Sequence, residues 1–393
     1  MEENKDKIKL SFYLTPAKNP HDGITVMLRN VLNNCNNLEV NGGAYLGINE
    51  NKENMNVYYK ETFPFINSNI KKTIFPKKLL VLENNFRLPL NYSKLLGKNR
   101  DAYVFFYNFV PHNNVKGKKI LVMHDLTPLK LDCKRKPKIL KVIDRYKFYM
   151  KRYKYAVSQA DLILTLTEFS KKDIIEHFPE AEGKIKIIGC GVDTRKFLER
   201  QPEEKIKEVR EKYNLPEKYI LFVGQARENK NLARLLKSYS QLPNKLKEEY
   251  GLVYANTTAE LNALAERLDV QEKVRLLNGI DFEDLVAVYQ GATVFSLVSL
   301  NEGFGIPLIE AMASEVPVLC SNISCLPEVV GEAAITVDPY SEDEITKGLI
   351  KILSDEGLRK RLVEQGKERI KIFTWENVAQ KFEQYVGELV DKN

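Results

Sequence analysis

The stretch ATVFSLVSLNEGFGIPLIEAMAS, residues 292–314, carries the fold in miniature. Its first eight residues, Ala292 to Ser299, are mostly β-branched, aromatic or aliphatic and predict a buried strand. The run then enters Leu300-Asn301-Glu302-Gly303-Phe304-Gly305, and Pro307 marks the first turn of a helix. That helix is apolar nearly throughout, so it packs on a sheet and does not lie in solvent. A buried strand feeding a buried helix through a glycine turn is one step of a parallel α/β fold. Two carboxylates sit in this step, Glu302 in the loop and Glu310 inside the apolar helix. An unpaired charge costs several kcal/mol to bury, so each acid needs a partner or a ligand.

The same alternation extends in both directions. Upstream, IKLSFYL, AYVFFYNFV, KKILVMHDL and ADLILTLTEFS predict strands, with a helix over residues 138–157 between the last two. A polar, helix-prone connector follows, and YILFVG opens a second series with YGLVYAN, VRLLN and VPVLCS. The final WENVAQKFEQYVGELV is an amphipathic helix. The expectation is two α/β domains. Residues 1–196 form an N-terminal domain and 197–217 a linker. Residues 218–374 form a second domain, and 375–393 form a helix returning toward the first domain.

Composition narrows the function classes. Five scattered cysteines without a C-x-x-C, and four dispersed histidines, give no metal-ligand spacing and point to reduced thiols. The charged N-terminus lacks an apolar signal core, and no run has the length of a spanning helix. A cytoplasmic setting is therefore expected, with peripheral association at the inner face of the cell membrane as an extension. The net charge of +7 divides unevenly: residues 1–200 hold 36 Lys+Arg against 21 Asp+Glu, a balance of +15. The remaining residues carry −8, so the basic half is the one to meet anionic partners. Residues 134–154 concentrate ten Lys/Arg among aromatics. They read either as a helix with a solvated basic face or as a surface for anionic lipid or a lipid-diphosphate acceptor. No nucleic-acid motif accompanies them, and no nucleic-acid partner is expected.

In open α/β sheets ligands bind beyond the carboxyl ends of the strands. Glycines ahead of a helix let N–H groups reach an anion, which the helix dipole favours. A carboxylate accepting from vicinal hydroxyls would account for Glu302 and for Glu310. A phosphate bracketed by hydroxyl-bearing rings is a nucleotide sugar. The bland alternative is an ordinary turn and a solvated glutamate.

SLNEGFGIPLIEAMASEVPVLCSNISCLPEVVGEAAITVDP closely resembles the signature of glycosyltransferase family 4, whose hallmark is two glutamates with seven residues between them. VMHDLTPL, LTLTEFSKKDIIEHFP with IGCGVD, and YILFVGQARENKNLARLL extend the resemblance over residues 100–340. The resemblance implies a GT-B fold, two Rossmann-like domains facing a central cleft, with residues 1–196 facing the acceptor and residues 218–374 binding the donor. It implies a retaining, metal-independent hexosyltransferase with no cofactor besides its nucleotide-diphosphate-sugar donor. The acceptor would be a glycan or lipid-linked glycan, as in bacterial surface polysaccharide synthesis. By position, Glu310 would bind the ribose and Glu302 the transferred sugar. Lys230 would neutralise the diphosphate, and the backbone of Gly303, Phe304 and Gly305 would lie near sugar and phosphate. His124 would approach the donor sugar, with Asp125 orienting its loop, and Gly23 would approach the diphosphate, although the usual second glycine is missing. The backbone at Gly279 and Ile280 would meet the nucleobase. The arginine common beside the lysine is absent, since Gln225 and Asn229 stand at those positions. Arg227 either supplies that charge or is a solvated loop residue. The alternatives are a non-catalytic nucleotide-sugar or glycan-binding protein of this fold, or a GT-B epimerase.

Overall fold

A computed structural model describes residues 7–14, 23–46, 51–64, 66–72, 90–107, 109–110, 115–127, 129–130, 145–256, 261–281 and 283–391. The chain divides into two compact units, Met1–Gly191 with Trp375–Asn393, and Val192–Thr374.

The first unit is built on seven parallel strands: β1 (Ile8–Tyr13), β2 (Leu38–Leu46), β3 (Asn67–Lys72), β4 (Ala102–Phe106), β5 (Lys118–Val122), β6 (Leu162–Thr165) and β7 (Ile185–Ile187). Their order is β3-β2-β1-β4-β5-β6-β7. All five residues of β4 are buried, as a strand covered on both faces requires. β2 was harder to foresee, because Asn41-Gly42-Gly43 interrupts its apolar run. The glycines are there for space. A Cβ on Gly42 would stand 2.5 Å from Leu14 Cδ1, and one on Gly43 would stand 2.7 Å from Leu95 Cγ. The last helix, Trp375–Val390, belongs to this unit. Phe382 stacks on Phe12, and Glu383 Oε1 accepts from the amides of Asn36 and Asn37 at 2.8 Å each.

The second unit has six parallel strands: β8 (Tyr219–Val223), β9 (Gly251–Ala255), β10 (Val274–Leu277), β11 (Val294–Leu297), β12 (Val318–Ser321) and β13 (Ala334–Val337). The order is β10-β9-β8-β11-β12-β13, with Ile220 opposite Val294 and Leu221 opposite Phe295. Strand order reverses between β8 and β11, and the crevice outside such a switch point is where doubly wound sheets take ligands. The polar segment 197–217 folds with this unit, largely as the helix Glu203–Lys212. Lys205 and Lys212 of that helix clamp the buried Asp284 at 3.2 and 2.7 Å. Among the described residues no helix is long and apolar enough to cross a membrane.

Candidate functional site

The loops after β8 and β11 meet at the switch point, and buried amide side chains join them. Asn229 Nδ2 donates to the Asn301 carbonyl at 3.0 Å, and Leu300 N returns a bond to the Asn229 carbonyl at 2.7 Å. Asn231 adopts a left-handed conformation (φ 59°), which asparagine tolerates well. Its amide donates to the carbonyls of Val298, at 3.0 Å, and Pro339, at 2.8 Å. Between these two asparagines stands Lys230, whose Nζ lies 2.7 Å from Glu302 Oε1. Their side chains are only 16% and 11% exposed, so this is no loose surface pair.

Glu310 lies one turn into the helix Ile306–Ala313. Its flanking residues Leu308, Ile309, Ala311 and Met312 are buried, and burial raises its pKa above the usual carboxylate range. The partner that such a buried acid needs is supplied in part by the protein itself. The buried Tyr289 hydroxyl donates to Glu310 Oε2 at 2.8 Å and pulls the pKa back down in part. Oε1 accepts no hydrogen bond from the described residues. Sequence reading missed Tyr289. The only available signal was a tyrosine in the LVAVY run, one strand away in sequence but adjacent in space.

Gly303 and Phe304 present their N–H groups at the entrance to that helix, and among the described residues no protein acceptor takes them. The Phe304 ring is buried edge-on against Phe373, centroids 5.6 Å apart, so only its backbone is offered. Gly305 caps the helix at φ 95°. A Cβ there would stand 2.8 Å from Leu326 Cδ2, so glycine is required twice over.

Beyond β10, Gly279 (φ 91°) has open space where a side chain would stand. The Ile280 amide is already committed to Asn256 Oδ1 at 3.1 Å. Of the two residues expected to meet a base, Ile280 therefore offers its carbonyl rather than its N–H. Arg227 is exposed and donates to Gln225 Oε1 at 2.9 Å. It lies on the Lys230 loop but is not paired with Glu302.

In the first unit, His124 follows β5. Its carbonyl accepts from Thr165 Oγ1 at 3.3 Å, and its ring meets Tyr107 edge-on at 5.8 Å. Asp125 Oδ1 accepts from Thr127 N at 2.7 Å and so closes the turn, while burial holds its pKa up. Gly23 is the first residue of the helix Gly23–Asn33; the loop before it lies outside the described residues, as do 134–144 of the basic stretch. The rest of that stretch is a helix, Arg145–Gln159, burying Tyr153, Ala156 and Val157 and exposing Tyr146, Lys147 and Lys151. Among the described residues no group of His, Cys, Asp and Glu is arranged to hold a metal ion.

Two Rossmann-like units of this topology define the GT-B fold, and the chain has that fold. Sucrose-phosphate synthase from Thermosynechococcus elongatus superposes with a TM-score of 0.70 at 18% identity, over 98% of this chain and all of that one (100%). By sequence, residues 203–369 match the family described as "Glycosyl transferases group 1". The O-antigen chain mannosyltransferase B of Escherichia coli is 34% identical over 241 residues, 60% of this chain and 62% of that protein. The serotype-specific mannosyltransferase WbdA of Escherichia coli is 29% identical over 276 residues, 69% of this chain and 33% of that protein. The chain thus spans less than two thirds of either relative.

Proposed function

We propose that the protein is a retaining glycosyltransferase of the family 4 type, moving a hexosyl group from a nucleotide-diphosphate sugar to a glycan or lipid-linked glycan. The relatives' names favour mannose as that hexose and bacterial surface polysaccharide as the setting. The observation that carries the reading is the Lys230–Glu302 pair at the switch point, set beside two unpaired amides and the acid at Glu310.

In this reading the diphosphate lies over the Gly303–Phe304 amides at the helix entrance, with Lys230 as its counter-cation. Glu310 accepts from the ribose through Oε1, with Oε2 held by Tyr289. The bond between the anomeric carbon and the phosphate oxygen breaks, and negative charge grows on the diphosphate. Lys230 and the amides stabilise that charge without reorganising. The acceptor hydroxyl attacks on the same face and gives its proton to the departing phosphate oxygen. Glu302 is assigned to the hydroxyls of the transferred sugar. The chemistry asks nothing of a metal.

The test is a thermal-shift panel of UDP-, GDP- and dTDP-sugars, followed by release of nucleoside diphosphate with and without glycan acceptors. One nucleotide class should raise Tm and be turned over. Stabilisation by none of them would overturn the reading. Binding without release would favour the non-catalytic alternative.

A further inference from the structure

Ser324 stands outside every role assigned so far, and its geometry calls for explanation. It lies in the turn after β12 with φ 63°, a left-handed conformation that L residues other than Asn and Asp seldom adopt. Glycine would fit there without strain. The serine hydroxyl does something glycine cannot: it accepts from the Glu302 amide at 3.0 Å and donates to the Glu302 carbonyl at 2.9 Å. Both polar groups of one residue's backbone are thereby held by one side chain, across 22 residues of sequence. Next to it, Cys325 Sγ adds a bond to the same carbonyl at 3.2 Å.

The position preceding Glu302 is also fixed, since Asn229 holds the Asn301 carbonyl. Glu302 therefore leaves a backbone pinned on both sides before it reaches Lys230. The hydroxyl has a second effect. It occupies the Glu302 N–H, so the amides left for an anion begin at Gly303.

We infer that Ser324 is a positioning residue for Glu302, aiming its carboxylate at the transferred sugar and keeping its amide out of the anion-binding set. The inference rests on the donor-site reading above and deepens it. Ser324 touches no substrate; it acts through Glu302 alone. Its influence should then appear in turnover and not in affinity for the bare nucleotide, and it should vanish when the Glu302 carboxylate is gone.

The test uses Ser324→Gly, Glu302→Gln and the double variant in the full chain. Release of nucleoside diphosphate from GDP-mannose, or from whichever donor the panel selects, gives kcat and KM, and calorimetry with the bare nucleoside diphosphate gives Kd. Glycine relieves the left-handed strain while losing two hydrogen bonds, so S324G should fold with a Tm near that of the parent. Its kcat should fall on the order of 10- to 100-fold, since a group that positions the substrate can cost about 100-fold when misplaced by about 1 Å. Nucleotide Kd should stay put. The double variant should be no slower than E302Q. An S324G enzyme with parental kcat beside an impaired E302Q would overturn the positioning role and leave the donor site intact. Losses that multiply in the double variant would overturn it too, because Ser324 would then act elsewhere. Full turnover in E302Q would overturn the assignment of Glu302 and this inference with it.

Discussion

Replacing Glu310 with glutamine should move stability and affinity in opposite directions. In the ligand-free protein the acid sits among buried aliphatic neighbours with one hydrogen-bond donor, and burial raises its pKa. A group whose acidic form is favoured by folding binds more protons folded than unfolded, so stability is lost as pH rises from the usual carboxylate range through the raised pKa. Above that raised pKa, where the charge is present, Glu310 is a net cost. Glutamine keeps an oxygen for the Tyr289 hydroxyl and removes the charge. Relief of a poorly solvated polar group is worth about 1–3 kcal/mol, and the weaker neutral hydrogen bond gives back about 1 kcal/mol. A net gain of about 1 kcal/mol raises Tm by about 2–4 °C in a unit of this size. The same change removes the one acceptor, Oε1, left for a ribose. A hydrogen bond to a charged group is worth about 1.5–3 kcal/mol, so nucleotide Kd should rise about 10- to 150-fold. Scanning fluorimetry from pH 4 to pH 9 measures the first effect, which should grow as wild-type Glu310 loses its proton and shrink toward the acidic end. Calorimetry with the selected nucleotide measures the second. A variant that is less stable than the parent across that range, or that binds nucleotide as tightly as the parent, would refute this account of Glu310.

Lys230→Met should weaken binding of the nucleoside diphosphate and also destabilise the protein, because Glu302 is left as an uncompensated, largely buried charge. Adding Glu302→Gln should recover that stability in urea melts without restoring activity. Asn229→Ala leaves the Asn301 carbonyl without its amide donor and should cost about 1–3 kcal/mol, read as a lower urea midpoint with unchanged m. If the basic helix meets membranes, sedimentation with vesicles should require anionic lipid and fall with salt; binding to neutral vesicles at high salt would contradict that.

The βα step at residues 292–314 was legible because each signal agreed: an apolar strand, paired glycines, a proline in the first turn and an apolar helix. β2 was obscured by glycines whose reason is lateral, the closeness of Leu14 and Leu95, and no local pattern encodes that. The site divided in the same way. Glu302 and Glu310 could be singled out from the glycine turn and the apolar helix around them, and Lys230 through the resemblance of its loop to the family's. Tyr289 and Ser324 could not, since each matters only through a partner 21 or 22 residues away that the sheet brings alongside. Asn229 illustrates the converse. It looked like the loss of a positive charge, yet the structure shows a buried amide that clamps the Asn301 carbonyl.

The Lys230–Glu302 pair makes a final demand on the proposed chemistry. Lys230 pairs with Glu302 at 2.7 Å. In the proposed chemistry a diphosphate over the Gly303–Phe304 amides draws Lys230 toward itself, and Glu302 then accepts from the sugar's hydroxyls. Glu302→Gln removes the competitor for Lys230 and one negative charge near the phosphates. The bare nucleoside diphosphate should therefore bind E302Q at least as tightly as it binds the parent, and more so at low salt, where the removed repulsion is least screened. Turnover should fall sharply, because the gain goes to the leaving group's resting state and not to the transition state. Weaker nucleotide binding by E302Q, with Tm unchanged, would mean that Glu302 itself holds the nucleotide and that the exchange of partners does not occur.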